Sequence, residues 1–171
     1  EDFTEFYEQI KVSMSENKFD ETKDILLDFI SNNPSEIVAI NFYLECLIEL
    51  KQYEEVDTFI NSLDEDIKEK DEIIQIIKKL EIIKNNLSGP DINVLITQLE
   101  KKPDNIDLAL EIADKYFSNQ EYEKSMELLL KYYPKNKDKF KNKMVEYFEV
   151  LGNTNQYTIL YRKKLSQIIF S

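Results

Sequence analysis

Few residues in this chain are of types that do chemistry, and the missing types decide more than the ones present. There is no histidine among the 171 residues. That removes histidine acid-base catalysis, Ser-His and Cys-His nucleophile pairs, and histidine zinc ligation. The two glycines, Gly89 and Gly152, lie 63 residues apart, so no glycine-rich phosphate loop can form and nucleotide use is not expected. Carboxylates cluster at Glu54-Glu55, Asp64-Glu65-Asp66 and Asp71-Glu72. Such groups can do acid-base work or hold calcium. None has the calcium-loop spacing with its glycine, and each falls at an expected helix start, where negative charge favours the dipole. A solvated surface is the expectation for all three. Cys46, the single cysteine, excludes an intramolecular disulfide and sits among Phe42, Tyr43, Leu47 and Leu50. It reads as a buried inert thiol rather than a redox centre. Lys131, Lys135, Lys137, Lys139, Lys141 and Lys143 interleave with Tyr132, Tyr133 and Phe140. That pattern could bind RNA or an acidic protein surface; the preferred expectation is a solvated lysine face over inward-packed aromatics. With no convergent polar site, no enzyme activity, cofactor or metal is expected.

Composition bounds the setting of these residues. A chain of this length suits one packed domain over residues 1–171, and 42% hydrophobic with 33% charged residues reads as globular rather than disordered. Two glycines and four prolines suit helices joined by tight turns and argue against a sheet protein. No apolar run approaches the roughly 20 residues of a membrane helix, and the acidic opening Glu1-Asp2 has no secretory signal pattern. The start without methionine leads us to expect an upstream part. The lone cysteine points to a reducing compartment. The net charge of -12 is uneven: residues 1–130 hold 13 Lys/Arg against 31 Asp/Glu, and residues 131–171 hold 9 against 3. An acidic body disfavours nucleic acid as main partner.

The elements that position these residues are read from a recurring elbow. Lys18-Phe19-Asp20-Glu21-Thr22, Gln52-Tyr53-Glu54-Glu55-Val56 and Glu121-Tyr122-Glu123-Lys124-Ser125 each precede an apolar helical run. Phe19 to Tyr53 is 34 residues and Tyr53 to Tyr122 is 69, close to two further steps. Three-and-four spacing predicts a helix over 2–16 and its partner over 19–30, ending before Asn32-Asn33-Pro34. Ser35 is the expected cap or first-turn residue of a helix holding Ile37 to Ile48, and the elbow at Gln52 opens one holding Val56 to Leu63. One periodic helix is expected between Asp64 and Leu87, ended by Ser88-Gly89-Pro90, then a shorter one from Ile92 to Leu99. Asp104 or Asn105 caps the helix holding Ile106 to Phe117. The last three span about 121–133, Phe140 to Leu151 with Gly152 as C-cap, and 154–170. Ten helices in five antiparallel pairs result.

A period of 34 with an aromatic, an acidic pair and then a small or apolar residue resembles the second-helix start of the tetratricopeptide repeat. The implied fold is an all-α, tetratricopeptide-type solenoid of about five antiparallel helix pairs whose end pairs act as caps. The best-known ligand of such repeats is an acidic chaperone C-terminus. Aligned by the elbows, its clamp positions carry Asn41, Glu45, Ile48, Leu110, Asp114 and Phe117, and carboxylates there repel a carboxylate. Apolar or basic polypeptide is the expected ligand instead. The closing stretch, Tyr147-Phe148, Leu151-Gly152 and Tyr161-Arg162-Lys163-Lys164-Leu165 to Ile169-Phe170, is similar to the end of the bacterial chaperedoxins, thioredoxin-like co-chaperones with a C-terminal repeat region. Lys102-Pro103-Asp104-Asn105, Leu108-Ala109 and Glu121 to Leu129 also match that family. The chain departs from it by bulkier Ile10, Leu44 and Val56.

That resemblance implies the C-terminal part of a cytoplasmic co-chaperone whose N-terminal thioredoxin-like domain lies outside this sequence. It would hold unfolded or partly folded proteins as a non-enzymatic, cofactor-free module and pass them to chaperonin or Hsp70. The expected client-binding residues are Tyr43, Leu44, Leu47, Ile48, Ile112, Tyr116 and Phe117, with core packing as the alternative role for each. For docking on chaperone machinery, the last helix offers Tyr161, Arg162, Lys163, Leu165, Ile169 and Phe170. A generic repeat scaffold for complex assembly is the first rival reading, and an RNA-associated protein using the lysine-rich segment is the second.

Overall fold

A computed structural model describes residues 1–171. All its regular structure is helical. The helices are α1 (Thr4–Ser15), α2 (Phe19–Asn32), α3 (Ile37–Glu49), α4 (Tyr53–Ser62), α5 (Glu65–Lys68), α6 (Asp71–Asn85), α7 (Ile92–Lys101), α8 (Ile106–Ser118), α9 (Tyr122–Tyr132), α10 (Lys137–Leu151) and α11 (Gln156–Ile169), with a 3-10 turn at Tyr133–Lys135. Two compact units, residues 1–80 and 81–171, divide the chain inside α6.

Nine of the ten expected helices are present as single helices, and the one expected between Asp64 and Leu87 is instead α5 followed by α6. The physical reason is an angular slip. Ile67 and Ile73 are both buried, yet six residues at about 100° each set them about 120° apart around one straight helix. A break at Glu69-Lys70 lets both reach the core. The cap of α3 also differs: Glu36, not Ser35, is its N-cap, without a side-chain capping bond.

The three elbows share one backbone geometry. Asn17, Lys51 and Gln120 adopt φ of 59°, 59° and 62°. Each amide bonds the carbonyl three residues back, and the next amide bonds five back: Asn17 to Met14 and Lys18 to Ser13, Lys51 to Ile48 and Gln52 to Leu47, Gln120 to Phe117 and Glu121 to Tyr116. This is the Schellman closure of a helix end. The same elbow starts the next helix, because the carbonyls of Lys18, Gln52 and Glu121 accept from Thr22, Val56 and Ser125. The three donating residues are each 0% exposed, so the second helix presses on the first there. Their polar atoms are satisfied at the contact: Thr22 Oγ1 donates to Lys18 O at 2.6 Å, and Ser125 Oγ donates to Ala113 O at 2.8 Å.

In the first unit, Phe3, Phe6 and Tyr7 of the opening turn surround Phe29, with Phe6 and Phe29 stacked at 4.2 Å. Tyr7 donates to Glu36 at 2.9 Å, tying α1 to the start of α3. The centre of the unit is α3, whose Ala39, Ile40, Tyr43, Leu44, Cys46, Leu47 and Ile48 are all buried. A helix with so wide an apolar surface must be covered on most of its sides, and Tyr43 meets Phe59 of α4 at 4.7 Å.

The second unit closes on an aromatic core, with Phe117 of α8 stacked on Tyr147 of α10 at 4.1 Å and 11°. Fully buried Ala109 and Ala113 let α9 approach α8 closely. Lys115, 8% exposed, donates to Asn86 O at 3.1 Å and Ser88 O at 3.4 Å, covering carbonyls just beyond α6. A cation there answers the negative end of the helix dipole. Asn105, Asn136 and Asn155 cap α8, α10 and α11 through their side chains, and Gly152 closes α10 with φ of 88°. Thr158, fully buried in α11, has no partner for its hydroxyl.

A lysine in the left-handed region carries strain of about 1–2 kcal/mol, of which glycine's added chain entropy gives back roughly half. Lys51→Gly is therefore expected to raise the urea midpoint by a gain of about 0.5–1 kcal/mol, and Asn17→Gly by less, since asparagine visits that region readily. Loss of stability at Lys51, or equal gains at both sites, would contradict this reading.

Candidate functional site

The apolar residues expected to meet a client are mostly core residues. Tyr43, Leu44, Leu47 and Ile48 are buried in the first unit, and Ile112 and Phe117 in the second; Tyr116 alone is partly exposed. A side chain with no accessible surface touches no partner while the fold is closed. Those of the second unit also divide between two faces of α8. Phe117 faces Tyr147 of α10, whereas Ile112 and Tyr116 line a groove with α7 and α9.

That groove encloses about 270 Å³. Ile96, Leu99 and Pro103 form one wall, Leu128 and Tyr132 the other, and Ile112 and Tyr116 lie between them. Glu100 and Lys131, both exposed, stand on the opposite rims. Its lower end is braced by Lys135, which bonds Pro103 O at 3.0 Å, pairs with the Asp104 carboxylate, and lies 5.0 Å over the Tyr132 ring. Lys124 lies 5.6 Å from the centre of the Tyr116 ring. Two groove residues, Ile112 and Tyr116, were named from sequence. Ile96 and Leu128 sit at the edges of their apolar stripes and are partly exposed, which periodicity alone does not mark.

Half of the six lysines of the lysine-rich segment are paired within the unit. Lys135 pairs with Asp104, Lys139 with Asp107 at 3.5 Å and Lys143 with Asp114 at 3.2 Å. One lysine every four residues thus meets acids at the start and on the far face of α8, while Tyr132, Tyr133 and Phe140 are buried. Asp114, at an expected clamp position, is occupied by its own protein: the Tyr147 hydroxyl donates to it and Lys143 pairs with it. Burial pushes the Tyr147 hydroxyl well above its ordinary pKa, and the Asp114 charge adds to this. Burial works against the Lys143 ammonium, but Asp114 and Glu146 outweigh it and hold the pKa up. In the first unit, burial raises the Glu45 carboxyl against the pull of Lys79. Neither clamp carboxylate is a free surface charge.

On α11, Tyr161 and Leu165 are core, while Arg162, Lys163, Ile169 and Phe170 are exposed. Tyr161 donates to Glu127 at 2.9 Å, and Lys164 pairs with the same carboxylate at 2.7 Å, fixing α11 to α9. Lys164 holds the Glu127 carboxyl below its ordinary pKa. Ile159 and Phe170 are 60% and 84% exposed, and Leu160 and Ile168 also reach solvent. One face of α11 builds the core and the other carries an apolar surface beside two cations.

Cys46 is fully buried, and burial first, then the Glu45 and Glu49 charges, push its thiol up to about 12. No group of three acids or thiols converges as metal ligands would.

A family profile described as tetratricopeptide repeat matches residues 85–170. A solved structure of a domain of a Vibrio parahaemolyticus protein of unknown function is similar over 95% of this chain and 96% of that one, at 22% identity and a TM-score of 0.42. No curated protein matches the chain.

The buried Cys46 thiol is expected to resist alkylation by iodoacetamide at pH 8 in the native protein and to react once urea unfolds it. Rapid native labelling followed by mass spectrometry would contradict the assignment. Asp114→Ala leaves the buried Tyr147 hydroxyl without its acceptor and the Lys143 ammonium with Glu146 alone. A loss of about 2–3 kcal/mol is expected by urea denaturation, and a loss under about 0.5 kcal/mol would show the Asp114 link to be dispensable.

Proposed function

The chain belongs to the tetratricopeptide-repeat family, and from that premise we propose that it holds apolar segments of unfolded or partly folded proteins and docks on chaperone machinery through α11. Members of the family are generally non-catalytic helical scaffolds that bind other proteins. Nothing in the site offers a nucleophile with a base, a phosphate cradle or a ligand set. The observation that carries the finer reading is the outer face of α11. Ile159 and Phe170 present apolar surface to solvent next to Arg162 and Lys163, a surface suited to an apolar partner with acidic flanks.

The closing stretch from Tyr147 to Phe170 resembles that of the chaperedoxins, and this supports the co-chaperone reading with chaperonin or Hsp70 as recipient and a cytoplasmic setting. No helix is long and apolar enough to cross a membrane. Nucleic acid is a poor second reading, since three of the six segment lysines are paired with aspartates of the same unit.

The test is suppression of aggregation of a chemically denatured model protein by the native chain, followed by light scattering. Deleting α11 would remove the core side chains Tyr161 and Leu165, so surface substitution is the better probe. Ile159→Ser with Phe170→Ser is expected to leave the helical circular dichroism intact. It should weaken chaperone capture about tenfold, as expected for roughly 1.4 kcal/mol of lost apolar contact. A native chain that suppresses no aggregation and captures no chaperone would overturn the proposal in favour of a generic assembly scaffold.

A further inference from the structure

The α7–α9 groove lies on the side of α8 turned away from α10, and it has features of a receptor rather than of a packing defect. Its lining is apolar and comes from three helices, Tyr116 and Leu128 remain partly exposed, and Lys135 braces its end through three separate contacts. A volume of about 270 Å³ falls below the usual range for small-molecule sites, roughly 300–1,000 Å³. It suits one or two bulky side chains of a polypeptide. The rims carry opposite charges: Glu100 on α7 and Lys131 on α9. Neither is paired within the protein, because no ion pair or hydrogen bond joins either side chain to a neighbour.

We propose that this groove is a docking site for a short segment of another polypeptide. Its occupant carries two adjacent bulky apolar residues, flanked by a basic residue that meets Glu100 and an acidic residue that meets Lys131. The apolar pair supplies most of the affinity by filling space over Ile112, Tyr116 and Leu128, and the opposed rim charges select the flanking residues and the direction of the segment. The inference rests on the protein-binding reading and adds a second surface, distinct from the outer face of α11.

The experiment uses the full chain labelled with nitrogen-15 and the peptide acetyl-Lys-Ser-Leu-Phe-Ser-Glu-amide, with amide shifts mapped residue by residue. Saturable shifts are expected around Ile96, Tyr116, Leu128 and Lys131. A peptide with serine in place of its two apolar residues should lose binding. Leu128→Gln should weaken binding about tenfold, and Glu100→Gln or Lys131→Gln about threefold each, as exposed charge pairs do. The rim variants leave the core untouched, so a folding defect does not confuse them. Shifts confined to α11 or to residues 1–80 would overturn the groove proposal while leaving the protein-binding reading in place. No shift at millimolar peptide would overturn it too, and the aggregation assay then reports separately on that reading.

Discussion

At each elbow a residue with positive φ turns the chain back on itself, and the side chain five residues later lands where the two helices touch. Whatever stands there must be compact and must leave no unpaired polar atom. Thr22, Val56 and Ser125 meet that demand in different ways, through a hydroxyl bonded to Lys18 O, an apolar branch, and a hydroxyl bonded to Ala113 O. From this close contact the rest follows. It fixes which stripe of each second helix is buried, and so which flank stays at the surface. The groove between α7 and α9 exists because Leu128 and Ile96 fall on those flanks.

Charge is distributed to a different plan. Residues 1–80 hold 8 Lys/Arg against 21 Asp/Glu, and residues 81–171 hold 14 against 13. In the second unit lysines and aspartates meet across helices, as Lys135, Lys139 and Lys143 do with Asp104, Asp107 and Asp114. The first unit lacks enough cations for that and remains strongly acidic, which favours encounter with cationic partners and repels nucleic acid. The near-neutral unit is the one whose apolar surface is most open to a partner, on α11 and in the groove.

Much of the fold was legible in the sequence because it is written in short-range signals. The elbow aromatics Phe19, Tyr53 and Tyr122 recur at the repeat spacing, Asn105 caps α8, and Gly152 ends α10 in the region glycine favours. The break before α6 was also written there, in the misfit between Ile67 and Ile73. The site was less legible, for a physical reason. Apolar periodicity marks the side of a helix that is covered, so Leu44, Leu47, Ile48 and Phe117 appeared as a binding face and are core. The proposed partner surfaces sit at stripe edges and on outward residues such as Ile159 and Phe170, which carry no period. The pairing of Lys143 with Asp114 depends on how α10 is rotated against α8, and no local pattern encodes that angle.

The most direct test of the account is hydrogen exchange of the full chain with and without a chemically denatured client protein, followed by mass spectrometry. Added protection is expected in α11 and in the α7 and α9 segments that wall the groove, with the α3 core unchanged. Protection confined to residues 1–80, or none anywhere while the client is bound, would contradict it.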